Sequence, residues 1–123
     1  MCTLTFLNQH RNLEVKLDEL LLTLKSPTAV IDCFRAAYAA AADHYVAEDH
    51  FFRGLLPQFP EALNKMIQQH SEALEIAAHA EDSLNLGQTS DALHLIRRFH
   101  AIAQHNIIEE ERDVFPLLAT GIQ

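Results

Sequence analysis

Residues that break helices are scarce in this chain, which has three glycines and four prolines in 123 residues. With abundant alanine, leucine, glutamate and glutamine between them, that scarcity argues against a sheet protein and for an all-α chain. Cysteine is scarcer still. Cys2 and Cys33 are too few and too far apart for a disulfide framework, a zinc finger, an iron–sulfur motif or a haem-attachment motif, so a reducing cytoplasm is the expected setting. Long apolar runs are missing as well. No stretch nears the ~18 residues that span a bilayer, and residues 1–7 are too short for a basic-then-apolar leader. Nine Lys and Arg stand against seventeen Asp and Glu, and the formal charge of −8 repels phosphate backbones and anionic lipid. Neither nucleic acid nor a membrane is an expected partner.

About half of the residues are apolar, enough for one domain over residues 1–123 with a single core. The pattern divides into four helical stretches. Phe6, Leu7, Leu13, Leu17, Leu20, Leu21 and Leu24 recur at three- and four-residue intervals and predict a helix from about Leu4 to Lys25, with His10 on its inward side. Ser26-Pro27 reads as a stop and a new start, Ser as N-cap and Pro at the first helical position. The second helix runs to about Arg53, where Gly54, Pro57 and Pro60 turn the chain. The third, from about Glu61 to Asp82, carries Leu63, Met66, Ile67, His70, Leu74 and Ala77 on one stripe. A turn at Gly87 leads to a fourth helix, capped by Ser90 with Asp91 near its positive end, running to about Leu118 with Pro116 forcing its last turns to end or bend. Four such stripes joined by short loops are buried economically in an up-down-up-down four-helix bundle.

Two segments share a chemical pattern. His44 and Glu48 are four residues apart, and so are His105 and Glu109. On a helix that spacing leaves ~40° around the axis and ~6 Å along it, so each pair shares a face. Each pair also has a histidine upstream, His10 before His44 and His70 before His105, at intervals of 34 and 35 residues. Six inward ionisable groups need compensation, because a buried carboxylate costs several kcal/mol unless something positive sits beside it. Arg and Lys are scarce at the neighbouring core positions, and a metal pair would satisfy all six groups at once. Imidazole and carboxylate without thiolate suit iron, manganese or zinc. Two metals bridged by Glu48 and Glu109, with two histidines each, would keep open positions for small-molecule chemistry.

The remaining polar residues are expected elsewhere. His50 and His79 turn away from their neighbouring site histidines, and His100, ~140° from His105, is expected on the surface. His94 and Arg98 fall on the His105 face. They read either as snorkelling surface residues or as a polar path from the bundle end. Phe34, Phe51, Phe52, Phe99 and Phe115 are expected in the core, and packing is the preferred role for Tyr38 and Tyr45.

From about Leu4 to Leu118 the chain resembles the hemerythrin-like, HHE cation-binding domains. His10-Arg11-Asn12-Leu13-Glu14 followed by Leu17, Glu19 and Leu20 is similar to the family's first-helix pattern. His44 with Glu48 resembles the second-helix pair, His70 the third-helix histidine, and His105 with Glu109 leading to Val114-Phe115-Pro116-Leu117-Leu118 the fourth-helix signature. The resemblance implies a non-haem di-iron site with terminal histidines and bridging carboxylates, binding dioxygen or nitric oxide for storage, transfer or sensing. The alternative it implies is a redox enzyme of nitrosative or oxidative stress, reducing nitric oxide or peroxide or donating iron for cluster repair. Three departures stand out. Leu74 replaces the oxygen carriers' further histidine, which favours the four-histidine, two-glutamate bacterial type. The second helix has Leu55-Leu56-Pro57 where a closer Phe-Pro is usual. The interval from Glu109 to Pro116 is one residue long, and Glu110 is the alternative bridge; Glu109 is preferred because it repeats the Glu48 spacing.

Overall fold

The computed structural model describes residues 3–121, so Cys2 lies outside the described residues. The elements are α1 (Thr3–Thr23), α2 (Pro27–Leu55), α3 (Pro60–Asn85), α4 (Thr89–Glu109), a π-helical turn (Glu110–Val114) and a terminal α5 (Phe115–Gly121). There is no strand among the described residues. The expected all-α class holds, with four long helices. None is long and apolar enough to cross a membrane.

The helix boundaries follow from backbone chemistry. Ser26 is extended (φ −112°, ψ 107°) and its carbonyl accepts from Val30 N–H, while Pro27 starts α2 where a missing N–H costs nothing. The Ser26 side chain makes no capping bond. Gly54 is tolerated inside α2, which ends at Leu55, and Pro60 begins α3. At the end of α3, Gly87 takes φ +74°, a left-handed turn open to glycine, and Gln88 N–H reaches back to the Ser83 carbonyl. The N-cap of α4 is Gln88 and not Ser90, which lies inside the first turn beside Asp91.

The fourth helix does not run unbroken to Leu118. Pro116 has no N–H to return to the Arg112 carbonyl, and Phe115 N–H bonds to the Glu110 carbonyl, five residues back. That wide turn absorbs one residue. Glu110 and Glu111 can both turn toward α1 while Val114, Phe115 and Leu118 still return to the core.

Helix α1 packs on α2, α2 on α3, α3 on α4, and α4 returns to α1. The core between them is split in two. The larger cluster holds Leu13, Leu17, Phe34, Tyr45, Ile76, Ile96, Phe99 and Ile107, with Ala37, Ala41, Ala73, Ala77, Ala80 and Ala103 allowing close helix approach. The smaller holds Phe6, Phe52, Leu63, Met66, Val114, Phe115 and Leu118. Each fully buried Leu or Phe contributes about 1.5–3 kcal/mol. On every long helix the switch between clusters falls at a buried polar residue: His10 between Phe6 and Leu13, Glu48 between Tyr45 and Phe52, His70 between Met66 and Ala73, and Glu110 between Ile107 and Val114. The order of the clusters reverses from each helix to the next.

Candidate metal centre

The polar layer contains His10, His44, Glu48, His70, Asn106 and Glu110, all buried. The apolar residues one turn before and after each of them hold these side chains inward. His10 stacks against Phe115 with centroids 5.3 Å apart, and His70 lies flat on Tyr45 at 4.1 Å and 8°.

The three histidines share one polarity. His10 Nδ1–H donates to Glu111 Oε2 at 2.8 Å, His44 Nδ1–H to Gln9 Oε1 at 2.6 Å, and His70 Nδ1–H to Asp49 Oδ1 at 2.7 Å. Each outer acceptor is an oxygen without a proton, so each Nδ1 must carry one and each Nε2 faces the centre. There the two glutamates span opposite sides. Glu48 places Oε2 3.2 Å from His10 Nε2, and Oε1 2.9 Å from His44 Nε2 and 3.2 Å from His70 Nε2. Glu110 places Oε1 3.0 Å from His10 Nε2 and Oε2 2.8 Å from His70 Nε2.

Without a metal, only protons can balance these charges. Burial opposes the imidazolium of His10, but Glu110 and Glu48 outweigh it and push its pKa up to about 10. Burial likewise opposes His70, where Asp49, Glu110 and Glu48 push the value up to about 11. Burial would raise Glu48, yet the His10, His44 and His70 imidazoles close around it hold it well below the carboxylate range. The protons do not satisfy the whole layer. His44 Nε2, Glu48 Oε1 and Glu110 Oε1 are buried, and although Glu48 Oε1 lies 2.9 Å from His44 Nε2 and Glu110 Oε1 3.0 Å from His10 Nε2, none of the three is in a well-aligned hydrogen bond. One donor atom from each of His10, His44, Glu48 and Glu110 lies within 4.8 Å of the others. A cation bonding at ~2.0–2.2 Å could gather such a set with small side-chain adjustments, so this cluster could hold a metal ion.

Four of the six residues expected from the sequence, His10, His44, Glu48 and His70, meet here. His105 and Glu109 do not. The His105 side chain is 65% exposed, and its Nε2 lies 3.2 Å from Glu109 Oε2. The pair shares a face as its spacing requires, but that face turns away from the layer toward α3, where Lys65 and Gln69 cover and hold a buried Glu109. The stripe Ile96, Phe99, Ala103 and Ile107 sets the inner side of α4, and His105, nine residues past Ile96, lies ~180° from it. Glu110, the alternative carboxylate, is the one in the layer. Asn106, four residues before it, was not expected there. Its signal was the same four-residue spacing, displaced by one position.

The other polar residues also sort by burial. His100 is buried and not on the surface: its Nε2 has no partner, and burial lowers its pKa against the opposing pull of Asp18 and the Leu17 backbone. His94 and Arg98 are exposed, so they form no internal path, and His50 and His79 are exposed as expected. Tyr45 belongs to the core, and burial followed by the nearby carboxylates raises its pKa. A groove of about 470 Å³ between α1 and α2, lined by Gln9, Asn12, Lys16, Asp43 and His44 among others, reaches the layer at His44.

No protein-family model, characterised protein or solved structure matches the chain. The hemerythrin-like resemblance therefore rests on the residues themselves.

Proposed function

We propose that the polar layer is a dinuclear, non-haem iron centre of hemerythrin-like type, built inside an up-down-up-down bundle. The observation that carries this reading is the common polarity of His10, His44 and His70: Nδ1 tied outward to an oxygen, Nε2 turned onto two carboxylates that each keep one buried oxygen outside any well-aligned hydrogen bond. Hydrogen bonds that fix tautomer and ring orientation in this way are the usual support of metal-ligating histidines. The reversal of cluster order from helix to helix supports the up-and-down topology.

His10, His44, Glu48, His70 and Glu110 would hold the ions, Glu48 and Glu110 reaching both sides. Manganese or zinc would suit the same donors. When bound, iron supplies reversible electron donation to a small diatomic ligand, dioxygen or nitric oxide. The chain's own contribution is to exclude water and restrict access. Phe6, Phe52, Phe115 and Tyr45 wall the layer with apolar surface, and the α1–α2 groove opens at His44. Asp49, Glu111 and Gln9 keep the imidazole protons on the outer nitrogens, so that Nε2 stays available.

Metal analysis of protein produced with iron, with absorption spectra before and after exposure to air or nitric oxide, tests this reading. About two irons per chain and a ligand-dependent near-ultraviolet and visible band are expected. No iron, or one tightly held zinc with no spectral response, overturns it.

A further inference from the structure

The proposed centre has unequal halves. His10 and His44 stand together, ring centroids 4.7 Å apart, in the set whose donor atoms lie within 4.8 Å of one another, whereas His70 lies outside that set, its Nε2 3.2 Å from the Glu48 Oε1 that His44 also meets. The additional atom beside His70 is Asn106 Oδ1, 3.1 Å from its Nε2. Asn106 is fully buried, and its side chain leaves α4 on the same face as Glu110, one turn away. We propose that Asn106 is a metal ligand through Oδ1, completing the His70 half of the centre, and that Glu109, held under Lys65, fixes its orientation through Gln69. This inference rests on the metal reading above.

The orientation follows from the order of donors and acceptors. Glu109 receives the Lys65 ammonium at Oε1, a group that can only donate, and its other oxygen faces Gln69. Lys65 Nζ donates to Glu109 Oε1, and Gln69 must turn its Nε2 to Glu109 Oε2, at 2.7 Å. That turns Gln69 Oε1 inward, where it accepts from Asn106 Nδ2 at 2.9 Å, with Met66 Sδ a weaker acceptor at 3.7 Å. With Nδ2 taken up by Gln69 Oε1 and Met66 Sδ, Oδ1 is left facing His70. The Glu109 carboxylate sets the polarity of the Asn106 amide two hydrogen bonds away. The neutral amide oxygen is a hard donor of the kind found around iron, manganese, magnesium and calcium.

The ligand is also weaker than an imidazole or a carboxylate, so the His70 half should release its ion first. Chelator competition with ferrous iron or manganous ion, read as the number of ions per chain and the affinity of each, tests this in folded protein checked by circular dichroism. The expected result is two ions of unequal affinity. Asn106→Ala lowers the weaker affinity about 10- to 100-fold and leaves the stronger one in place, and Asn106→Asp keeps both. Glu109→Gln, which can present either end of its amide to Gln69, weakens the same ion by a smaller factor.

Two ions with unchanged affinities in Asn106→Ala overturn the inference. Equal weakening by Ala and Asp in folded protein does so too, since a purely structural amide would behave that way. A wild-type chain that binds one ion, indifferent to Asn106→Ala, overturns the inference and spares a mononuclear centre. A wild-type chain that binds none removes the metal reading itself.

Discussion

Helices α2 and α4 carry the same histidine–glutamate spacing, and the bundle uses the two copies oppositely. His44 and Glu48 are buried at the centre of the polar layer, whereas His105 is exposed and Glu109, though covered, is held away from the layer under Lys65. A four-residue interval guarantees that two side chains share a face; the flanking apolar residues decide which face. In α2 the stripe Ala37, Ala41, Tyr45 and Phe52 brackets the pair. In α4 and the π turn after it, the stripe Ile96, Phe99, Ala103, Ile107 and Val114 brackets Asn106 and Glu110 instead.

The largest expected effect breaks the comparison at its carboxylates. Glu48→Ala and Glu110→Ala should each abolish dinuclear metal binding, while Glu109→Ala should leave two ions bound, the weaker one loosened. Metal content after gel filtration checks this, and equal loss from Glu48→Ala and Glu109→Ala would mean that the layer is not the binding site. The histidines should separate in the same way. His44→Ala should lower affinity by about 10- to 100-fold or more, and His105→Ala should leave it within about twofold and change stability by no more than ~0.5 kcal/mol. A chelator titration in which the two variants match would refute the face assignment.

A gain of function sharpens the contrast. Asn106→His places an inward imidazole four residues before Glu110, as His44 precedes Glu48, and should tighten the weaker ion about tenfold if the larger ring is accommodated. The same titration reads it, and an unchanged weaker ion with native circular dichroism would count against an ion beside His70.

The pH dependence should reverse with loading. In the metal-free protein, His10 and His70 have folded pKa values of about 10 and about 11 against ~6.5 unfolded, so their stabilisation is complete below about pH 6.5 and is lost as pH rises through the folded values. Glu48, depressed, contributes above about pH 4.5 and loses that contribution as pH falls. Metal-free stability should therefore peak between about pH 4.5 and 6.5. Metal must displace the Nε2 protons, so the stabilisation it adds grows with pH across the range where the metal-free protein weakens. Thermal unfolding from pH 5 to 9, with chelator and with ferrous iron under anaerobic conditions, measures both slopes. Parallel profiles would refute the exchange of protons for metal.

The first three helices were legible because their site residues sit inside unambiguous apolar stripes: His10 between Phe6 and Leu13, His70 between Met66 and Ala73. In the fourth the repeated motif and the local apolar stripe conflict, and the stripe decides the face. Buried Asn106 and Glu110 resemble surface residues in isolation, and counting ~100° per residue cannot anticipate a π turn. The long interval from Glu109 to Pro116 was the trace of it, since Glu110 takes up the additional residue. His100 shows how one wrong reference spreads, because its outward placement was measured from His105. The outer partners Asp49, Glu111, Gln9 and Gln69 carried no pattern in the sequence; their roles depend on which helices meet.

The polar layer that divides the core also divides the protein's cooperativity. The apolar set around Phe6, Phe52, Leu63 and Phe115 is small, and it is joined to the larger set across a plane of charges. A cation bonded from all four long helices would act there as a rivet. Without it, the short end can open while the long end stays folded, and amide hydrogen exchange at Leu63 and Leu118 would register metal occupancy before any global unfolding does.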